Sequence, residues 1–206
     1  NPELGGHALH SIVPVNNCDN KSLNGLAEND AVQKLIEELA ANSNLEVMVN
    51  TSVFGLYEDN LVAAQCGADL FKIRAQSVVL TPGATDRHLV FENNDRPGIL
   101  TARGVERLIM RHAVLPGEDT VVVTTHDGGF HTALLLMGAG ANVVAVVDGR
   151  ESGSVGEFEE QVRNLAIPVY KGLTVHAAHG TKRIRRVDVG PASGGDSHQS
   201  FNCDLL

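Results

Sequence analysis

The chain has 206 residues, enough for one large domain or two small ones. A net charge of −9, from 16 Lys and Arg against 25 Asp and Glu, argues against a general nucleic-acid binder, whose affinity rests on neutralising phosphates. Aromatic residues at 4% with no Trp argue against a stacking surface, and 43% hydrophobic residues support a packed core rather than disorder.

Residues 1–28 are rich in Asn, Gly and Pro and read as loop. Asp30 is placed to cap a helix whose Ala31, Val32, Leu35, Ile36 and Leu39 form one apolar stripe. Asn42 to Asn44 ends it. Residues 45–54, 61–65 and 70–74 read as three strands joined by the turns Glu58-Asp59-Asn60 and Gly67-Ala68-Asp69, an antiparallel β-meander. Ser77-Val78-Val79-Leu80 reads as a buried strand that leaves through Thr81-Pro82-Gly83-Ala84. The turn signal Asn93-Asn94-Asp95-Arg96-Pro97-Gly98 marks a domain boundary.

Beyond it, Thr101 caps a helix reaching about His112, with Val105, Leu108 and Ile109 on one face. Thr120-Val121-Val122-Val123-Thr124 is continuous and apolar, as a buried parallel strand requires. A helix comes next over residues 130–137, and a second buried strand over 142–147 ends at Asp148. Strand, helix and strand within about thirty residues make a βαβ unit. A polar Gly/Ser loop over 151–156, a helix near 157–165 and strands at 167–170, 173–178 and 183–189 complete the region, before a loose tract over 190–199. The expected fold class is α/β. A Rossmann-like parallel-sheet domain (98–189) is inserted into a partial dinucleotide-binding domain (1–97, completed by 190–206) that carries the meander.

A dinucleotide site in such a unit needs a glycine-rich turn at the helix start and an acid ending the second strand. Asp148 supplies the acid, about twenty residues on. The turn reads Thr124-Thr125-His126-Asp127-Gly128-Gly129, so side chains replace the first glycines and Asp127 brings a negative charge to the phosphate position. Two readings stay open: a domain that kept the fold and lost the ligand, or a nucleotide site using Gly128 and Asp148. The Thr81-Pro82-Gly83-Ala84 turn is likewise either a point where a cofactor meets backbone or a simple strand exit.

His176 and His179, three apart on a strand, point to opposite faces and read as no shared metal site. His126 and His131 flank a turn and read as solvated or helix-start positions. No G-x-S-x-G elbow is present, Gly153-Ser154-Val155-Gly156 included, and residues 157–160 read as a solvated acidic helix face. Cys18, Cys66 and Cys203 are odd in number and far apart. They form neither a metal site nor a disulfide framework and fit a reducing, cytoplasmic compartment. No apolar run reaches the ~20 residues of a membrane span, and no signal-peptide pattern opens the chain. The Asn start and the closing Phe201-Asn202-Cys203-Asp204-Leu205-Leu206, the first half of a buried strand, lead us to expect an interior piece of a longer polypeptide.

Several stretches together resemble one family. The run from Ser77 through Thr81-Pro82-Gly83-Ala84-Thr85-Asp86-Arg87 is similar to the strand and turn of the two-dinucleotide-domain flavoproteins. Phe91-Glu92-Asn93-Asn94-Asp95-Arg96-Pro97-Gly98-Ile99-Leu100 and residues 114–150 resemble the α subunit of heterotetrameric sarcosine oxidase, as do Thr51-Ser52-Val53-Phe54-Gly55-Leu56-Tyr57 and the closing Cys203-Asp204-Leu205-Leu206. Pro2-Glu3-Leu4-Gly5-Gly6 is similar to the segment just after the second strand of the first dinucleotide domain.

The resemblance implies an oxidoreductase of secondary amines such as sarcosine. NAD is associated with the α chain, FAD is held by a flavin-bearing β-type subunit of a hetero-oligomer, and FMN lies at the interface. It also implies that the first glycine loop precedes Asn1, so the isolated piece is inactive. Val53 and Thr81, Gly83 and Ala84 would border the first dinucleotide. Thr81-Pro82 stands where the family has Ala-Thr, and His88 where it has Pro; Pro82 removes an N–H that a cofactor would meet. No catalytic residue and no metal ligand is assigned to this chain. A non-catalytic Rossmann-like interaction module and a stand-alone NAD-dependent reductase using Asp148 are the alternatives.

Overall fold

The computed structural model describes residues 2–16, 18–153, 155–196 and 199–206. The chain divides by its contacts into Asn1–Thr85 and Asp86–Leu206.

In the first unit a 3-10 turn, Gly6–His10, precedes helix α1, Glu28–Ala40. The helix starts two residues before the expected cap. Ala27 is its N-cap, and Asp30 lies in its first turn, where a carboxylate faces the positive end of the helix dipole. Strands β1 (Ser52–Tyr57), β2 (Leu61–Cys66) and β3 (Asp69–Arg74) form the antiparallel meander in the order β1-β2-β3. Residues 45–51 join no strand. The run at 77–80 is a correction. It is neither strand nor buried, with Val79 85% exposed. An apolar run becomes a buried strand only where neighbours take its N–H and C=O groups, and the described residues of this unit provide no such neighbours.

The second unit has three layers. Its middle layer is a parallel sheet of β4 (Asp119–Thr124), β5 (Asn142–Asp148) and β6 (Val169–Lys171), ordered β4-β5-β6. Thr120 also pairs in parallel with Leu205 on the free side of β4, so the sheet runs β6-β5-β4 and then the chain end, a Rossmann-type order. Side chains alternate across it. Val122, Val143 and Val146 face helices α2 (Ala102–His112), α3 (Gly128–Gly138) and α4 (Glu157–Asn164), packing on Val105, Phe130, Leu136 and Val162. Val121, Ala145 and Val147 face an antiparallel sheet of β7 (Leu173–His179), β8 (Arg186–Pro191) and β9 (Gln199–Asn202), against Val175, Val187, Val189 and Phe201. Residues 190–206 therefore pack with the second unit, because β8 and β9 pair there and Leu205 joins β4.

The Asn93–Gly98 turn clamps this unit. The Asn93 side chain donates to the Ala178 carbonyl at 3.0 Å, and the Arg96 guanidinium donates to the Gly180 carbonyl. The Ile184 N–H reaches the Pro97 carbonyl at 2.9 Å, and the Leu206 N–H reaches that of Gly98 at 2.9 Å.

Candidate functional site

Ligands of open parallel sheets bind beyond the carboxyl ends of the strands. Those ends bring together the β4–α3 turn, Asp148 closing β5, Lys171 closing β6 and the first turn of α4.

The turn is built without its early glycines. The Thr124 hydroxyl donates to the His126 carbonyl at 2.7 Å and accepts the His126 N–H at 3.2 Å, which folds the chain back by side-chain means. Gly129 has no substitute. A Cβ there would lie 2.3 Å from the Thr124 Cβ, so helix and strand approach only over a hydrogen atom. Gly128 opens α3, and its N–H is already held by His126 Nδ1 at 3.1 Å.

Asp148 is fully buried. The Arg150 Nε donates to its Oδ1 at 3.0 Å and Nη2 to its Oδ2 at 2.9 Å, while the Arg150 backbone N–H donates to Oδ1 at 3.0 Å. Lys171 Nζ adds a bond to Oδ2 at 2.9 Å and a second to Glu159 Oε2 at 2.7 Å. Glu159, also fully buried, takes Arg163 on Oε1 at 2.8 Å. At the outer end, Arg150 Nη2 lies 2.9 Å from Asp127 Oδ1. The result is one alternating ladder: Asp127, Arg150, Asp148, Lys171, Glu159, Arg163.

Burial by itself would raise the carboxyls of Asp148 and Glu159. The bonds from Arg150 and Lys171 to the first, and from Lys171 and Arg163 to the second, outweigh it and hold both below the usual carboxylate range. Burial would lower Lys171, but Glu159 and Asp148 raise it above its ordinary value. Arg150 is raised by Asp148 and Asp127.

These residues do not fit a diphosphate or a ribose. A ribose-binding acid needs free oxygen lone pairs, and those of Asp148 face Arg150 and Lys171. A phosphate needs free N–H groups, and Gly128's is taken by imidazole. Glu159 corrects the reading of 157–160 as a solvated face; three of the ladder's members lie on separate elements, and only the Glu159–Arg163 spacing of four was a sequence signal.

The first candidate site is one-sided. Gly83 takes a left-handed φ of 78° with open space where a side chain would stand. Thr81 and Ala84 are exposed beside it. Val53 lies on β1 and is 61% exposed, opposite Ala64 at an irregularity in the register. Among the described residues of that unit there is no parallel strand pair to close a pocket.

His176 and His179 meet different partners. His176 Nε2 lies 3.2 Å from the Pro191 carbonyl, and His179 Nε2 lies 2.6 Å from Asp188 Oδ2. His131 stands in the first turn of α3, as the helix-start reading has it, and only the solvated alternative is corrected. It is buried in α3, Nδ1 3.5 Å from Glu106 Oε1, because α3 is covered on both flanks by α2 and α4. Ser154 lies outside the described residues. Burial pushes the Cys203 thiol up to about 12, with Asp204 and Asp119 adding to the effect. Among the described residues no helix is long and apolar enough to cross a membrane.

No protein-family model matches the chain. Curated relatives that do match are sarcosine oxidase α subunits. One, from Rhizobium meliloti (strain 1021), is 33% identical over 185 residues, 83% of this chain and 18% of the relative. Another, from Corynebacterium sp. (strain U-96), is 32% identical over 166 residues, 73% of this chain and 16% of the relative. The chain thus spans less than a fifth of the length of these relatives.

Two solved structures share the fold. L-proline dehydrogenase from P. horikoshii aligns with a TM-score of 0.64 and 21% identity over 100% of this chain and 34% of its own. T. acidophilum thioredoxin reductase aligns with a TM-score of 0.73 and 12% identity over 98% of this chain and 64% of its own. The similarity to sarcosine oxidase α subunits read from the sequence therefore holds across most of the chain, and the α/β class holds with it.

Proposed function

We propose that this relative of the sarcosine oxidase α subunits is the dinucleotide-associated segment of such a subunit, serving a flavoprotein oxidoreductase that acts on a secondary amine such as sarcosine. The observation that carries the reading is the match to α subunits over as much as 83% of the chain. NAD belongs with the first unit in this reading, against Val53 and the turn of Thr81, Gly83 and Ala84. The left-handed backbone of Gly83 leaves room for a ligand to approach, while Pro82 offers it no N–H. FAD is held by a β-type partner, FMN lies at the interface, and the hetero-oligomer is cytoplasmic. The chain contributes scaffold and docking surface and no catalytic group.

The test is the purified 206-residue chain, assayed for sarcosine-dependent dye reduction and for flavin absorbance, alone and with a flavin-loaded β-type subunit. Neither signal is expected from the chain alone. Turnover of sarcosine by the chain alone would overturn the reading. A second reading, a Rossmann-like module that only docks, is favoured by the ladder that fills the second cleft. Calorimetry with NAD separates the two, since the first expects heat that vanishes when Gly83 is replaced by Val. A stand-alone reductase using Asp148 is disfavoured by the engagement of that carboxylate with Arg150 and Lys171.

A further inference from the structure

The cleft beyond β4 and β5 has the location of a dinucleotide site and the side chains of an occupied one. Arg150 lies two residues past the strand-ending acid, and its guanidinium has two faces of use. One grips the buried Asp148; the other is turned to the surface, where Asp127 Oδ1 meets Nη2 at 2.9 Å. Asp127 is half-exposed, at 53%, whereas Asp148 is wholly enclosed. The inner pair is thus architecture, and the outer pair is a carboxylate resting on a cation at the mouth of the cleft. Asp127 stands one residue before α3 and packs beside Gly156, where an added Cβ would come within 3.0 Å of its Oδ2. His126 covers the neighbouring N–H of Gly128.

We propose that Asp127 is an internal occupant of this cleft. Its carboxylate sits on Arg150 in place of an anionic group, so the chain as it stands takes no dinucleotide there, and removing the carboxylate uncovers an anion site on Arg150. The physical reason is charge and geometry together. An incoming phosphate meets a negative charge already neutralising Arg150 at the mouth of the cleft, and each edge of a guanidinium fork binds one anion. The inference is independent of the amine reading above. It concerns the second unit's cleft and would stand if the sarcosine assignment fell.

The test uses the full 206-residue chain and inorganic pyrophosphate as probe, with D127N and D127G beside the unaltered protein. Calorimetry gives affinity, and backbone amide shifts of Gly128, Gly129, Gly149 and Arg150 give location. The expected result is no saturable binding of pyrophosphate at those four amides of the unaltered chain. Both variants should bind at least tenfold more tightly, with shifts confined to those four amides. Saturable binding of pyrophosphate or NADH by the unaltered chain at those amides overturns the proposal. So does a folded D127N that gains nothing. Should D127G lose its fold, D127N, which keeps the side-chain volume, decides by the same two criteria.

Discussion

A single hydrogen atom sets the geometry of the β4–α3 turn. Thr124 uses its hydroxyl twice, donating to the His126 carbonyl and accepting the His126 N–H, so it cannot rotate away from Gly129 without losing both bonds. Gly129→Ala would put a Cβ 2.5 Å from that hydroxyl oxygen. Overpacking of this kind costs about 1–3 kcal/mol, and we expect that loss in a urea titration. Gly138→Ala is the control. Gly138 ends the same helix, is exposed and has open space around it, and alanine's higher helix propensity should leave stability unchanged or raise it by up to about 1 kcal/mol. A Gly129→Ala variant as stable as Gly138→Ala would show that helix propensity, not the Thr124 contact, decides. This contrast was partly legible in the sequence. The missing early glycines could be read from Thr124-Thr125-His126, but not the hydroxyl that replaced them, since a threonine's rotamer is set by its neighbours in space.

Among the elements, the most legible were those whose apolar period matches their surroundings on both faces. β4 and β5 read as buried strands because α2, α3 and α4 cover one face and the β7-β8-β9 sheet the other. The run at 77–80 has the same chemistry and no strand, because burial is a property of neighbours and the sequence names only the run. The turn at 93–98 was legible as a turn but not as a clamp. Its partners, Ala178, Gly180, Ile184 and Leu206, lie far along the chain. Gly98 is the pivot, with a left-handed φ of 97° and the Asp204 carbonyl 2.7 Å from where a Cβ would stand. Gly98→Ala should therefore destabilise the second unit by more than about 1 kcal/mol. It should also speed hydrogen exchange at the Ile184 and Leu206 amides ahead of those in β5. Unchanged exchange at these two amides would show that the clamp closes without help from Gly98.

For the whole molecule, the contact division falls between Thr85 and Asp86, within a stretch that carries neither helix nor strand from Ala75 to Phe91 and exposes Arg87. Limited trypsin digestion with mass spectrometry should show an early cut after Arg87 and a persisting fragment that starts at His88. Early cleavage after Arg150 or Arg163 instead would contradict the layered packing of the second unit. The ladder was the least legible feature, because its links join residues 23 and 12 positions apart and one of its acids lay in a stretch that reads as solvated. Its consequence for the molecule is a pH dependence. Asp148 and Glu159 are held below their ordinary values, so their contribution is complete above the unfolded carboxylate range near about 4 and is lost as pH falls through the lower folded values. Asp188, lowered in the face of burial by Ser200 and His179, adds to the same acid limb. Lys171 is raised, so its contribution is complete below its unfolded value near about 10.5 and is lost only as pH climbs through the higher folded one. Cys203, raised to about 12 by burial, likewise loses its contribution as pH climbs above the unfolded thiol value near about 8.5. The second unit should accordingly hold a level stability from the carboxylate range up to that point and weaken in acid. Asp148→Asn removes one buried partner and leaves Arg150 and Lys171 facing an amide, which should cost about 3–5 kcal/mol at neutral pH. Asp127→Asn, at the exposed end, should cost no more than about 1 kcal/mol. Urea midpoints taken from neutral pH down into the acid range should therefore fall less steeply for Asp148→Asn than for the unaltered chain. Parallel acid limbs in the two proteins would mean that the buried carboxylate does not carry the pH dependence.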